Sequence, residues 1–160
     1  MNEIMNEEIL NIKDMIYEIN GVEVMLDSDL AKLYQVETKR INEAVKNNLE
    51  KFPEKFSWKL TKEEFKDLRS KFSTLKDLTI RKYPPRVFTE QGAIMLSTVL
   101  KSKIAIKTSI RIMEAFVEMR KIISANLLEQ KYINNQVMKN TEDIKVLQES
   151  FSKFEEKRSS

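Results

Sequence analysis

The chain has 160 residues, 33% charged and 41% hydrophobic, with 28 Lys+Arg against 25 Asp+Glu, 2 Gly, 3 Pro, no Cys and no His. That length suits one modest domain plus an appendage, and the missing residues exclude disulfides, zinc-thiolate sites, thiolate nucleophiles, Ser-His-Asp triads and imidazole acid–base chemistry. Gly21 and Gly92 alone make no glycine-rich phosphate loop, no apolar run approaches the ~18 residues of a membrane span, and the acidic start lacks the basic n-region of a signal peptide, so a cytoplasmic protein without cofactor or metal is expected.

Residues 1–15 are an N-terminal extension. Residues 16–26, IYEINGVEVML, carry Asn20-Gly21 between alternating apolar residues. Both positions of such a turn need φ > 0, so the pattern predicts a hairpin. Its register sets Ile19 opposite Val22, Tyr17 opposite Val24 and Glu18 opposite Glu23, with the four apolar residues packed on the core. Asp27 or Ser28 caps a short helix over 29–34. A second helix follows from Thr38 to about Leu49, with Ile41, Val45 and Leu49 stacked and Ala44 and Asn48 beside them.

Residues 52–60 alternate Phe56, Trp58 and Leu60 as a strand with one buried face. Thr61 and Glu64 form a capping box for a helix with Phe65, Leu68 and Phe72 as its stripe. Residues 73–86 lack a period and hold Pro84-Pro85, which predicts a loop or a basic hairpin. A short strand over 85–89 leads to a helix capped by Thr89 over 90–100, and Ser102 caps the last helix. In that helix Phe116, Ile123, Gln130, Val137, Ile144 and Phe151 occupy a positions of a heptad. Ile112, Met119, Asn126, Ile133, Asn140, Leu147 and Phe154 occupy d. The sustained repeat predicts a left-handed coiled coil, and Ile110, Met113 and Val117 would dock the helix onto the domain. The dimer contacts are placed at Ile123, Ile133, Val137, Asn140, Ile144, Leu147, Phe151 and Phe154.

Charge is unevenly spread. Residues 1–18 hold five carboxylates against Lys13, residues 69–86 six cations against Asp77, and residues 101–121 six cations against Glu114 and Glu118. Clustered positive charge attracts polyanions even when the total is small. The segment 30–46, LAKLYQVETKRINEAVK, fits a helix-turn-helix: Ala31 is the small contact residue, Val36 packs after the turn, and Ile41 and Ala44 supply later core contacts. Glycine is usual at the turn, where this chain has Gln35. Lys39 suits phosphate or guanine, Asn42 adenine, and Glu43 cytosine. The basic loop adds Arg81, Lys82, Tyr83 and Arg86, in the manner of a wing on nucleic acid. The carboxylates Asp27, Asp29, Glu63 and Glu64 sit at helix starts, where they suit cap and dipole roles, and no second carboxylate joins Glu54 to hold a metal. No enzyme activity is expected.

Three blocks carry a family resemblance: VMLDSDLAKLYQVETKRINEAVKNN (24–48), FPEKFSWKLTKEEF (52–65), and RVFTEQGAIMLSTVLKSKIAIKTSIRIMEAFVEMR (86–120), of which FTEQG (88–92) is the most characteristic. The chain resembles the phage-type "ORF-six N-terminal" DNA-binding domain, a relative of the KilA-N and Bro-N domains. The resemblance implies a small α+β domain over 16–120 that binds double-stranded DNA, often in antirepressor-like proteins. It implies that the helix holding Lys39, Arg40, Asn42 and Lys46 reads DNA, and Thr38, Glu43 and Asn47 of the same helix join them as candidate contacts. The coiled coil over 121–160 is read from the heptads of this chain and not from the family. The expectation is a sequence-specific DNA-binding homodimer of phage or prophage type that regulates transcription. The alternative is an adaptor whose coil captures a repressor or another protein.

Overall fold

A computed structural model describes residues 11–72 and 81–159. Most of the extension, and residues 73–80 of the expected basic loop, lie outside the described residues. The protein is α+β. Strands β1 (Ile16–Ile19), β2 (Val22–Leu26), β3 (Ser57–Lys59) and β4 (Arg86–Phe88) form one antiparallel sheet in the order β1-β2-β4-β3. Helices are α1 (Asp27–Tyr34), α2 (Thr38–Lys46), α3 (Lys62–Lys71), α4 (Glu90–Leu100) and α5 (Lys103–Ser159), with a short 3-10 turn at Leu49–Lys51. The chain divides into two units, Met1–Glu118 and Met119–Ser160.

The hairpin has the expected register, with Asn20 at φ 53° and Gly21 at φ 79°. Its burial differs from the expectation. Val22 is exposed at the turn, whereas Ile16 and Met25 on the opposite face are buried. Both faces of this sheet are covered, so alternation of buried and exposed residues breaks down. On one face Tyr17, Ile19, Val24, Leu26 and Val87 pack with Leu60 and with Phe65 and Leu68 of α3, flanked by Trp58 and Phe72. Phe72 meets the Tyr17 ring edge-on at 4.8 Å. On the other face α1 and α4 pack against β2 and β4.

The capping box of α3 is present: Glu64 N–H donates to Thr61 Oγ1, and Thr61 N–H donates to the Glu64 carboxylate. Thr89 Oγ1 likewise accepts from Gly92 N–H to open α4, and Ser102 Oγ from Ala105 N–H at the start of α5. Gly92 allows a close approach. A Cβ there would stand 2.2 Å from the Phe56 carbonyl oxygen, which also accepts from the Thr89 N–H and hydroxyl. The FTEQG stretch therefore locks the start of α4 onto the segment before β3. Tyr34 Oη donates to Ala93 O at 2.7 Å, joining α1 to α4.

Other expectations are corrected too. Helix α1 opens at Asp27 rather than Asp29, so Leu26 is its N-cap and no side chain caps it. Helix α2 ends at Lys46, and Leu49 lies 68% exposed beyond it. The helix breaks because Asn48 turns its amide back onto the Ala44 carbonyl and the chain tightens into the 3-10 turn. The docking face of α5 is also not the expected one. Ile110, Met113 and Val117 are exposed, while Ala105, Thr108, Ser109, Ile112, Ala115 and Phe116 are buried. Small residues let the helix approach closely, and Thr108 Oγ1 donates to the Leu33 carbonyl at the end of α1. The heptad stripe begins inside the domain core, because Ile112 and Phe116 are core residues.

Candidate nucleic-acid interface

Helices α1 and α2 pack together around a tight turn. Gln35 occupies the left-handed region at φ 58°, ψ 45°. Gln35 N–H donates to Lys32 O and Val36 N–H to Ala31 O, the two bonds of a Schellman motif. The turn thus has the geometry that glycine usually supplies, despite the side chain. Ile41, Ala44 and Val45 face the core, and Lys39, Arg40, Glu43, Lys46 and Asn47 face solvent. Thr38 is half-buried at the first turn.

Asp27, at the first position of α1, organises the neighbouring surface. It is 1% exposed. Its Oδ1 accepts from Ser28 N–H at 2.8 Å and pairs with Arg81 Nη1 at 2.9 Å. Its Oδ2 accepts from Arg81 Nη2 at 3.0 Å, Asn42 Nδ2 at 3.1 Å and Arg86 N–H at 3.3 Å. One carboxylate therefore ties α1 to α2, to β4 and to the segment 81–86. A buried charge is tolerated when it is paired and hydrogen-bonded in this way.

This arrangement separates the sequence-predicted residues. Asn42 donates to Asp27 and to Thr38 O, so both its N–H groups are used inside the protein and none is left for an adenine. The Arg81 guanidinium lies on Asp27, and its Nε donates to Tyr83 O. The Arg81 carbonyl in turn accepts from Arg69. These contacts give Asn42 and Arg81 structural partners. Lys82 and Tyr83 are exposed. Arg86 Nη1 donates to Ser57 Oγ, which holds its side chain over β3.

A cleft of about 400 Å³ opens beside the C-terminal end of α2. Lys46, Lys59, Arg81 and Arg86 line it together with Asp27, and Val45, Leu49 and Pro84 form an apolar wall. Sequence reasoning missed Lys59. Its place on this side follows from pleating, since it shares a face with Ser57 and pairs with Arg86 across the sheet. Arg81 offsets Asp27, which leaves the cleft a surplus of positive charge. Among the described residues no cluster of carboxylates could hold a metal ion, and no helix is long and apolar enough to cross a membrane.

The model of the ORF6N domain matches residues 14–99, which include both helices, the sheet and the cleft. No curated protein and no solved structure matches the chain. With more than half its length matched, the chain belongs to the ORF6N domain family, a phage-type family of the KilA-N/Bro-N group.

Proposed function

We propose that this protein is a non-catalytic, sequence-specific DNA-binding regulator of the cytoplasm, acting as a dimer. The observation that carries this reading is the shared surface of α2 and the adjoining cleft. The exposed arc of α2 offers Lys39, Arg40, Glu43, Lys46 and Asn47, and the cleft beside it adds Lys59 and Arg86. In the major groove, residues of the first turns of α2 would reach base edges. Lys39 or Arg40 would pair with guanine, and Glu43 would accept from cytosine. The cleft at the other end of α2 would take a backbone phosphate, with Leu49 against the sugar or a thymine methyl. Asn42 and Arg81 would fix the reader from behind.

Selection from fragmented genomic DNA at two salt concentrations tests this. Lys39→Ala/Arg40→Ala should abolish motif enrichment. Lys46→Ala/Lys59→Ala should weaken all fragments alike. If each protomer neutralises ~3–4 phosphates, a dimer should give a log–log salt slope of about −5 to −7. No enrichment at either salt, together with a flat salt dependence, would defeat the reading.

A second reading has its own support. Ile106, Ile110, Met113 and Val117 form an exposed apolar stripe on α5 within the folded unit. Such a stripe suits capture of a protein, a repressor included. Ile110→Glu/Val117→Glu separates the two: a DNA reader keeps selective DNA binding, whereas an adaptor loses its partner and shows no DNA selectivity in either form.

A further inference from the structure

The heptad stripe of α5 serves two different surfaces. At Ile112 and Phe116 it is buried in the domain core, and from Ile123 to Phe154 the same stripe is exposed to solvent. Helices in proteins owe most of their stability to packing of an apolar face, yet residues 120–158 are all exposed in the single chain. We infer that residues 119–154 pair with the same residues of a second copy of this chain, parallel and in register. The inference rests on the dimeric reading above and adds orientation and register to it.

Polar layers decide the orientation. Among the core positions from Met119 to Phe154, Asn126 and Asn140 at d and Gln130 at a are polar, and none is charged. In a parallel, in-register pair each of these meets its own copy, so each amide has an amide partner. An antiparallel pair sets a opposite d. Its best long register matches Gln130 with Asn140 but leaves Asn126 against Ile144. The neighbouring register sets Asn140 against Val137 and Asn126 against Phe151. An unmatched buried amide is costly, and polar core residues are known to fix register in such coils. A parallel shift of one heptad fails likewise, because it sets Asn126 against Met119 or Ile133 and Asn140 against Ile133 or Leu147.

The flanks agree. In the parallel arrangement each g residue faces the e residue five positions on in the second copy. Glu129 then faces Asn134, Gln136 faces Thr141, Asp143 faces Gln148 and Ser150 faces Glu155, with no like-charge pair. Ile122 faces Leu127, which extends the apolar seam; both are exposed in the single chain. The seam runs for about 54 Å. Chain connectivity then attaches both DNA-binding domains to the same end of the coil, an arrangement that suits two neighbouring half-sites on DNA.

The chain has no Cys, so single cysteines report contacts without background. Met119→Cys and Leu147→Cys are made separately in the full chain and oxidised. The expected result is a disulfide-linked dimer from each variant alone, and none between Ile123→Cys and Leu147→Cys mixed. A link in the mixture, with none within the single variants, overturns the orientation but leaves the dimer. A monomer by sedimentation at tens of micromolar overturns both. Asn126→Ile/Asn140→Ile should keep the dimer yet reduce the homotypic links at least two-fold by allowing other registers. Unchanged links would overturn the role of the polar layers.

Discussion

Asp27 and Arg81 stand 54 residues apart in sequence and meet through two contacts of 2.9 and 3.0 Å, with the carboxylate enclosed. Removing Arg81 leaves that carboxylate buried with weaker partners. Breaking a buried pair from one side costs about 3–5 kcal/mol, and the low end applies because Arg81 keeps an edge in solvent. Arg81→Ala should therefore lower unfolding free energy by about 3 kcal/mol in denaturant titration. Arg81→Lys should rescue little, because an ammonium cannot bridge both oxygens. Asp27→Ala/Arg81→Ala should be less harmful than the sum of the single changes. If Arg81→Ala leaves stability intact, Arg81 is free for phosphate and the structural assignment fails.

Gln35 adopts a backbone conformation that costs a side-chain-bearing residue about 1–2 kcal/mol. Gln35→Gly should relieve part of this and raise the thermal midpoint, offset by the greater entropy of glycine in the unfolded chain. A net gain of about 0.5–1 kcal/mol is expected. Gln35→Val should destabilise by at least about 1 kcal/mol, since a β-branched residue is poorly suited to φ > 0. Equal midpoints for the three proteins would show that the turn carries no strain.

Local chemistry was legible in the sequence, and long-range partnership was not. The Asn20-Gly21 hairpin, the Thr61–Glu64 box and the Thr89 cap are each set by residues within a few positions, and all formed as expected. The family was legible because three blocks resemble it in order, and the structure shows that the most characteristic stretch, 88–92, holds a cap and a close approach. Asp27 reads in sequence as a helix-start carboxylate. Its role depends on Asn42, Arg81 and Arg86, which no periodicity links to it. The end of α2 and the docked face of α5 were misread for a related reason. A 3.6-residue stripe shows that a face is apolar, not which partner covers it, so Leu49 and Ile110 look like core yet lie exposed.

Gly92 supplies a sharper test of the FTEQG stretch. A methyl group at residue 92 would meet the Phe56 carbonyl oxygen, a backbone atom that cannot rotate aside. Gly92→Ala should cost about 1–3 kcal/mol through displacement of α4. Gly21→Ala meets nothing within 4 Å and is penalised only through its positive φ. The expected order of thermal midpoints is wild type, Gly21→Ala, then Gly92→Ala. The reverse order of the two variants would contradict the close approach.

Burial of Tyr34 pushes its phenol well above the ordinary value, and its hydroxyl donates to Ala93 O. The neutral phenol is thus favoured in the folded chain. Its contribution to stability is complete below the unfolded value of about 10 and declines as pH rises beyond it. The loss of stability between pH 9 and 11 should be smaller in Tyr34→Phe than in wild type, while at pH 7 the variant should lose about 1 kcal/mol. Parallel stability–pH curves would rule out Tyr34 as a source of the alkaline loss.

Every fully enclosed apolar side chain among the described residues lies at or before Phe116. Truncation after Arg120 therefore removes no core residue of the domain. Its unfolding free energy should change by less than about 0.5 kcal/mol from that of the same domain measured in the full chain. DNA affinity should fall much further, because a dimer gains up to about 10²–10⁴-fold by presenting two domains at high effective concentration. The salt slope should drop to about −3, the share of one protomer. Full-length slope and affinity retained in the truncated protein would mean that one domain binds alone and that the coil serves another partner. Loss of folding would instead place part of the domain's stability in residues 121–159.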